Sequence, residues 1–320
     1  MDEEFVKELF NYVNECVMYH VENADQMKRF LDFLAHMKTP ITVANKVLVF
    51  GYDPNATEVR TAEDWKKQGA HVLHPERVLH NMQFQPGSKY SYVDRVMYDV
   101  TATDRAPQPF QPYPDAGALA EQLLMYPPCP VVFLEKSKPG KSKAEYVPDK
   151  KVIEVTRGFR DETEVCHYLL REFGHFFLKE REELRIRERA EESEDKEVPV
   201  NRDEENPIKT YRYDRNIHGL EAQAVAYAVA VRYGIKAPTL ENVQTDPKMQ
   251  PQDVTRVFDR IDFAIGRITR QLEEGPELKK QAKLEAEKQA AEAKQKEREK
   301  KEEKPKLREI PHPPNLEGRR

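Results

Sequence analysis

Apolar positions in the first fifty residues recur every three to four places: Phe5, Leu9, Phe10, Val13 and Val17, then Met27, Phe30, Leu31, Phe33 and Leu34. That period predicts two or three amphipathic helices from Glu4 to Phe50, punctuated by Pro40 and Gly51. From Thr57 to Thr103 the pattern becomes shorter and more β-like. Thr57–Arg60, Arg77–Phe84 and Tyr92–Thr101 read as strands there, with Trp65 on a helical turn between the first two. Past a proline-rich passage the pattern predicts a helix over Ala116–Met125, strands over Pro130–Leu134 and Lys151–Val155, and a strong helix over Glu162–Lys179. His218–Tyr233 and Pro251–Glu273 also read as helices, the second with Val254, Val257, Phe258, Ile261, Ile265 and Ile268 on one face.

The fold class is therefore α+β. The passage from Ala106 to Pro114 repeats proline, which removes backbone donors and favours extended chain, so residues 106–115 are expected to link a domain 1–105 to a domain 116–276. An acidic insertion, 180–206, interrupts the second domain. The tail, 277–320, has almost no large apolar residue over most of its length and can only be a solvated helix or disordered.

Charge sharpens this division. The whole chain carries −5, and residues 277–320 carry fourteen Lys/Arg against ten Asp/Glu, which leaves −9 on the body. No basic stripe of the kind that releases counterions from phosphate stands out. Three cysteines, Cys16, Cys129 and Cys166, lie far apart without a CxxC pair, which argues against a disulfide framework or a cysteine-zinc site and fits a reducing, cytoplasmic setting. The acidic start Met1-Asp2-Glu3-Glu4 does not read as a signal peptide, and the longest apolar run, Ala224–Val231, is far short of the ~20 residues of a membrane helix.

The chemistry concentrates in Leu169-Leu170-Arg171-Glu172-Phe173-Gly174-His175-Phe176, which reads as the HExxH helix of a zinc metallopeptidase with its first histidine replaced. In the intact pattern residues i and i+4 lie one above the other, so two imidazoles meet one Zn²⁺ and the glutamate between them acts as general base. Arg171 cannot be a ligand: a guanidinium has five donors, no lone pair, and a permanent charge. His167 cannot replace it, because eight residues along a helix are about 12 Å and two Zn–N bonds are ~2.1 Å each.

Several segments, in order, resemble the ArdC-type antirestriction proteins and the related LtrC-like proteins of conjugative elements, over about Asp2 to Glu273. They are Pro54-Asn55-Ala56-Thr57-Glu58-Val59, Trp65-Lys66-Lys67-Gln68-Gly69-Ala70-His71-Val72 and Val96-Met97-Tyr98-Asp99-Val100-Thr101-Ala102-Thr103 in the first half. In the second half they are Ala144-Glu145-Tyr146, Val152-Ile153-Glu154-Val155, Leu170–His175 and Glu221-Ala222-Gln223-Ala224-Val225-Ala226-Tyr227. The resemblance implies an N-terminal single-stranded-DNA-binding domain followed by a zincin-like metallopeptidase domain. It makes His175 the second metal ligand, Glu172 the general base and Glu221 the third ligand. Arg171 matches nothing.

Three readings of the site follow. In the first, no cofactor is bound, and the Arg171 cation substitutes for the metal and neutralises Glu221 and Glu172, with Arg171 expected to point at Glu221. In the second, zinc is held by a rearranged set, His175, His218 and Glu221, the last two sharing a helix face at i, i+3. In the third, the match is accidental and His175 is a core histidine.

For DNA, Lys38, Lys46, Arg60, Lys66, Lys67 and Arg77 would track the backbone, with Trp65 or Tyr52 as a stacking face. The opposing reading makes Trp65 a core anchor and the two lysines a solvated face. Residues 1–105 hold twelve Lys/Arg against sixteen Asp/Glu, so binding needs a local patch. The sequence thus leads to a mobile-element accessory protein that binds single-stranded DNA and carries a catalytically degenerate domain as scaffold. The alternatives are an active zinc peptidase with an unusual ligand set, and a protein-interaction module without DNA.

Overall fold

A computed structural model describes residues 3–85, 92–135, 142–194, 211–240 and 249–302. The amphipathic start forms α1 (Glu3–Glu22), α2 (Ala24–His36) and α3 (Val43–Tyr52). The breaks between them are capped chemically. Asn23 Oδ1 accepts from the backbone N–H groups of Asp25 and Gln26, and Thr42 Oγ1 from that of Asn45, satisfying donors that a helix start leaves orphaned. Strands β1 (Val59–Arg60), β2 (Leu79–Phe84) and β3 (Tyr92–Asp99) form an antiparallel sheet in the order β1-β3-β2, and Trp65 lies on the short helix α4 (Ala62–Lys67) between the first two.

The second half begins with α5 (Ala116–Met125), followed by β4 (Val131–Phe133), β5 (Ala144–Val147) and β6 (Val152–Val155). β6 is central, parallel to β4 and antiparallel to β5. Then come α6 (Glu162–Glu194), α7 (Gly219–Arg232) and α8 (Pro251–Glu302).

α7 holds this half together. Its alanines 222, 224, 226, 228 and 230 are all buried, so neighbouring helices approach its backbone closely. The closest approach shown is by Gly174 of α6: a Cβ there would lie 3.3 Å from the Ala222 Cα and carbonyl oxygen. Gly174, inside the degenerate motif, therefore brings Glu172 and His175 of α6 up to the turn that carries Glu221.

Residues Met1–Glu273 form one compact unit, and Glu274–Arg320 a second. The expected boundary at 106–115 does not separate two cores. Phe30 of α2 packs edge-on against Phe258 of α8 with ring centroids 4.9 Å apart, Tyr227 of α7 donates to Asp32 at 2.8 Å, and Lys46 of α3 pairs with Asp262 at 2.7 Å. The proline-rich passage lies on this shared core rather than hanging free, with the Tyr113 N–H donating to the Tyr233 carbonyl at 3.1 Å. Periodicity predicts which face of a helix is apolar but not which other segment covers it, so a single core spread over both halves has the same sequence pattern as two.

The acidic stretch divides similarly. Its first part, 180–194, continues α6 as helix, its glutamates at 180, 182 and 183 paired with basic side chains, and 195–206 lies outside the described residues. Of the tail, 277–302 continues α8 as helix and 303–320 lies outside the described residues. Among the described residues, no helix is long and apolar enough to cross a membrane.

Candidate functional site

Glu172, His175 and Glu221, the residues the motif singles out, are all buried. What surrounds them is arginine. Glu172 has no exposed surface; its Oε1 accepts from Arg171 Nε at 3.0 Å and its Oε2 from Arg215 Nη1 at 2.6 Å. Oε2 also accepts from the Tyr146 backbone N–H at 2.7 Å, and Arg215 Nη1 reaches the Tyr146 carbonyl at 3.0 Å, so strand β5 fixes both partners. Both oxygens of Glu172 are therefore engaged by protein donors.

Glu221 is held by a different cation. Arg260 of α8 forks onto it, Nε to Oε2 at 2.8 Å and Nη2 to Oε1 at 2.6 Å, while its Nη1 donates to Glu182 at 2.8 Å. This is the bidentate geometry that suits guanidinium to carboxylate. Burial alone would raise the Glu221 carboxyl; the Arg260 fork and the nearby His218 outweigh it and hold the group below the ordinary carboxylate range. His218 Nδ1 lies 3.3 Å from Glu221 Oε1, near enough for an ionic contact but out of line for a hydrogen bond. The expectation that Arg171 points at Glu221 is thus corrected. Arg171 turns to its sequence neighbour Glu172 and to Ser142, with its guanidinium 4.9 Å over the Tyr168 ring, and Arg260 takes the Glu221 position. An i, i+1 neighbour lies within reach of a long side chain that bends along the helix, and the site already had a cation for Glu221.

His175 is 3% exposed, and its Nδ1 meets the Tyr213 hydroxyl at 2.9 Å. Its pKa is pushed far down, first by burial and then by the charges of Arg215, Arg171 and His218, so the ring is neutral. Tyr213 in turn stacks on His218, with centroids 4.8 Å apart and planes 6° from parallel. Burial raises the Tyr213 hydroxyl well above its ordinary value, which keeps it a neutral partner.

A metal of the zincin type does not fit this donor set. Three groups with free lone pairs must converge on one point at about 2.0–2.3 Å. Here the first position is Arg171, which cannot ligate, and both oxygens of Glu221 belong to Arg260. Among the described residues no three His, Cys, Asp or Glu side chains are grouped so that they could hold a metal, which counts against the set His175, His218 and Glu221.

Sequence reasoning missed Arg215, Arg260, Glu182 and Tyr213. Arg215 and Tyr213 sit in Tyr211-Arg212-Tyr213-Asp214-Arg215, where four bulky aromatic or cationic residues in a polar passage are a usable signal. Arg260 lies beside the apolar stripe of α8, one residue before the buried Ile261, and nothing local betrays its partner 39 positions away.

The expected DNA contacts are spread over other duties. Trp65 has no exposed surface, and its indole N–H donates to the Tyr98 carbonyl at 2.9 Å, so it is a core residue with no face for a base. Lys46 is 6% exposed and bound to both Asp262 oxygens, which removes it from any groove. Arg60 pairs with Glu58 at 3.0 Å, Lys67 with Glu63 at 3.1 Å, and Arg77 with Asp53 at 3.6 Å. Lys38 bonds to the Gln108 carbonyl in the proline-rich passage. Lys66 is exposed on α4, and Tyr52, 47% exposed, has its ring beside those of Tyr12 and His80, with centroids 6.0 and 5.3 Å away.

No protein-family model matches this sequence, and no curated protein matches it. Its fold is similar to crystal structures of the antirestriction protein ArdC from the R388 plasmid. With the Mn(II)-bound structure it shares 12% identity over 76% of this chain and 90% of that one, at a TM-score of 0.39. With the metal-free structure it shares 12% identity over 72% and 83%, at a TM-score of 0.37.

Proposed function

We propose that this chain is an accessory protein of the ArdC type, associated with a mobile element, whose metallopeptidase-like half works by binding rather than hydrolysis. One observation carries the reading: each carboxylate of the expected zinc site is paired with arginine, Glu172 with Arg171 and Arg215, Glu221 with Arg260. Guanidinium cannot be deprotonated at physiological pH and cannot ligate, so these charges compete permanently with a dication. Elemental analysis of the purified chain, with protease assays before and after chelation, tests it. The expected result is less than a tenth of an equivalent of zinc or manganese, roughly what carry-over alone leaves, and no chelator-sensitive cleavage. Stoichiometric metal with chelator-sensitive cleavage defeats the proposal and restores the active-peptidase reading.

Single-stranded DNA is the partner that the family resemblance implies. The exposed cation Lys66 and the partly exposed Arg77 and Lys38, with Tyr52 as a stacking surface, are the residues left to hold it. A surface whose cations are mostly matched by carboxylates releases few counterions, so the expected affinity is weak and steeply salt-dependent. Titration of an unstructured oligonucleotide at low salt decides this part. Absence of binding removes DNA and leaves the protein-interaction reading, which the local pairing of Arg60, Lys67 and Arg77 already favours.

A further inference from the structure

The two arginine clusters are not equally balanced. Around Glu221 two carboxylates, Glu221 and Glu182, meet two guanidiniums, Arg260 and Arg185. Around Glu172 a single carboxylate meets two, Arg171 and Arg215, which leaves one positive charge in excess. The His175 imidazole between the clusters is neutral and does not alter that sum.

The excess charge faces an opening. A cleft of about 100 Å³ lies on the outer side of α6 and α7, bordered by Arg171, Tyr168, His167, Gln223 and Thr239. Arg171 keeps 25% of its side chain exposed, and its Nε and Nη2 are the nitrogens committed to Glu172 and Ser142. Among the described residues its Nη1 carries no hydrogen bond. Gln223 borders the same cleft, and its buried Oε1 has no hydrogen-bond partner. Among the described residues no group holds that oxygen, so the amide can turn its NH₂ toward a ligand. His167 Nε2 donates to the Lys236 carbonyl at 2.6 Å, which anchors the far wall.

We propose that this cleft binds a small carboxylate, with Arg171 supplying the charge and the Gln223 amide a second donor. Guanidinium is a strong partner for a carboxylate, here through Nη1, and the neighbouring guanidinium means that a single anion neutralises the excess charge of the cluster. A volume of about 100 Å³ at ~30 Å³ per water holds roughly three heavy atoms, the size of the carboxylate group itself, so the rest of the ligand extends out of the cleft. That chemistry belongs equally to a free small acid and to the C-terminal end of a peptide. The inference rests on the reading that no metal displaces these arginines.

The test is calorimetric titration of the chelator-treated full chain at low salt with three probes: acetate, acetyl-Ala-Ala with a free carboxylate, and the same peptide amidated. The free-acid peptide is expected to saturate in the millimolar range, with the amide at least about tenfold weaker. Arg171→Gln should abolish the difference between acid and amide. Gln223→Leu should weaken the acid several-fold without lowering the melting temperature, since it removes a buried acceptor that has no partner. Acetate binding as tightly as the peptide assigns the site to small acids, and tighter peptide binding assigns it to chain ends. No saturation by any carboxylate at concentrations on the order of 10 mM overturns the inference, as does equal binding of the amide or an Arg171→Gln variant that binds unchanged. Metal content of the same samples keeps the two claims apart. Metal-loaded protein that still prefers the acid overturns the proposed function alone, and metal-free protein indifferent to it overturns this inference alone.

Discussion

Glu172, the expected general base, and Glu221, the expected third ligand, are the two carboxylates of the expected zinc site, and each is neutralised in its own way. Glu172 draws its cations from nearby: one from the adjoining residue on α6, the other from the chain just before α7, with β5 adding a backbone N–H. Glu221 is held by one arginine from a different helix, in a two-bond fork that continues to Glu182. The first arrangement is redundant and partly open to solvent through Arg171; the second is a single buried coupling that joins α7, α8 and α6. Losing one cation should be tolerated at Glu172 and costly at Glu221.

The largest effect is therefore expected from Arg260→Ala. It strands Glu221 and leaves Glu182 with Arg185 alone, and removing one partner of a buried ion pair costs about 3–5 kcal/mol. Denaturant unfolding measures it. The paired replacement Arg260→Met with Glu221→Met should recover most of the loss, because two apolar side chains leave no uncompensated charge. A single variant that unfolds like the parent would mean the fork contributes nothing. The same contrast bears on metal: Arg171→His alone should not restore a zinc site, since Arg260 still holds both Glu221 oxygens. Stoichiometric zinc in that variant would show that Arg171 was the whole of the change.

A second test is the pH dependence of stability, which isolates His175 between the clusters. Its folded pKa lies far below the ordinary 6.5, so below that pH the unfolded chain binds a proton that the folded chain cannot. The stability it contributes is complete above pH 6.5 and declines as the pH falls, by at most about 1.4 kcal/mol per pH unit. His175→Gln should flatten the curve between about pH 6.5 and 4.5, by roughly 2 kcal/mol over that window. Parallel curves for variant and parent would show that the imidazole accepts a proton in the folded state.

Much of this was legible in the sequence. Helical periodicity predicted two or three helices before Phe50, gave α5 and α7 close to their observed bounds, and placed the starts of α6 and α8, though α6 runs on past Lys179 to Glu194. The substitution at Arg171 was visible because the motif fixes what should stand there. The cations that matter most were not, since Arg260 and Arg215 become significant only when folding brings them beside carboxylates 39 and 43 positions away. Lys46 shows the converse. In the sequence it is a basic residue in a DNA-binding frame; in the fold it is the buried partner of Asp262, 216 positions later. Trp65, the sole tryptophan, was weighed as either stacking face or core, and burial with a satisfied indole N–H decides for core.

The smallest effect should come from Arg171→Ala, though Arg171 is the residue that drew attention to the site. Glu172 would keep Arg215 and the Tyr146 N–H, and the quarter-exposed Arg171 side chain is partly screened by water. The expected loss is about 1 kcal/mol, set against the several expected for Arg260→Ala. Arg215→Ala should fall between them, because it removes the shorter of the two contacts to Glu172 and the bond to the Tyr146 carbonyl together. If thermal melts rank Arg171→Ala above Arg215→Ala, the redundancy argued for Glu172 is wrong. The residue at the first motif position would then itself be the keystone of the cluster, and its remaining exposure could not be read as capacity held for a ligand.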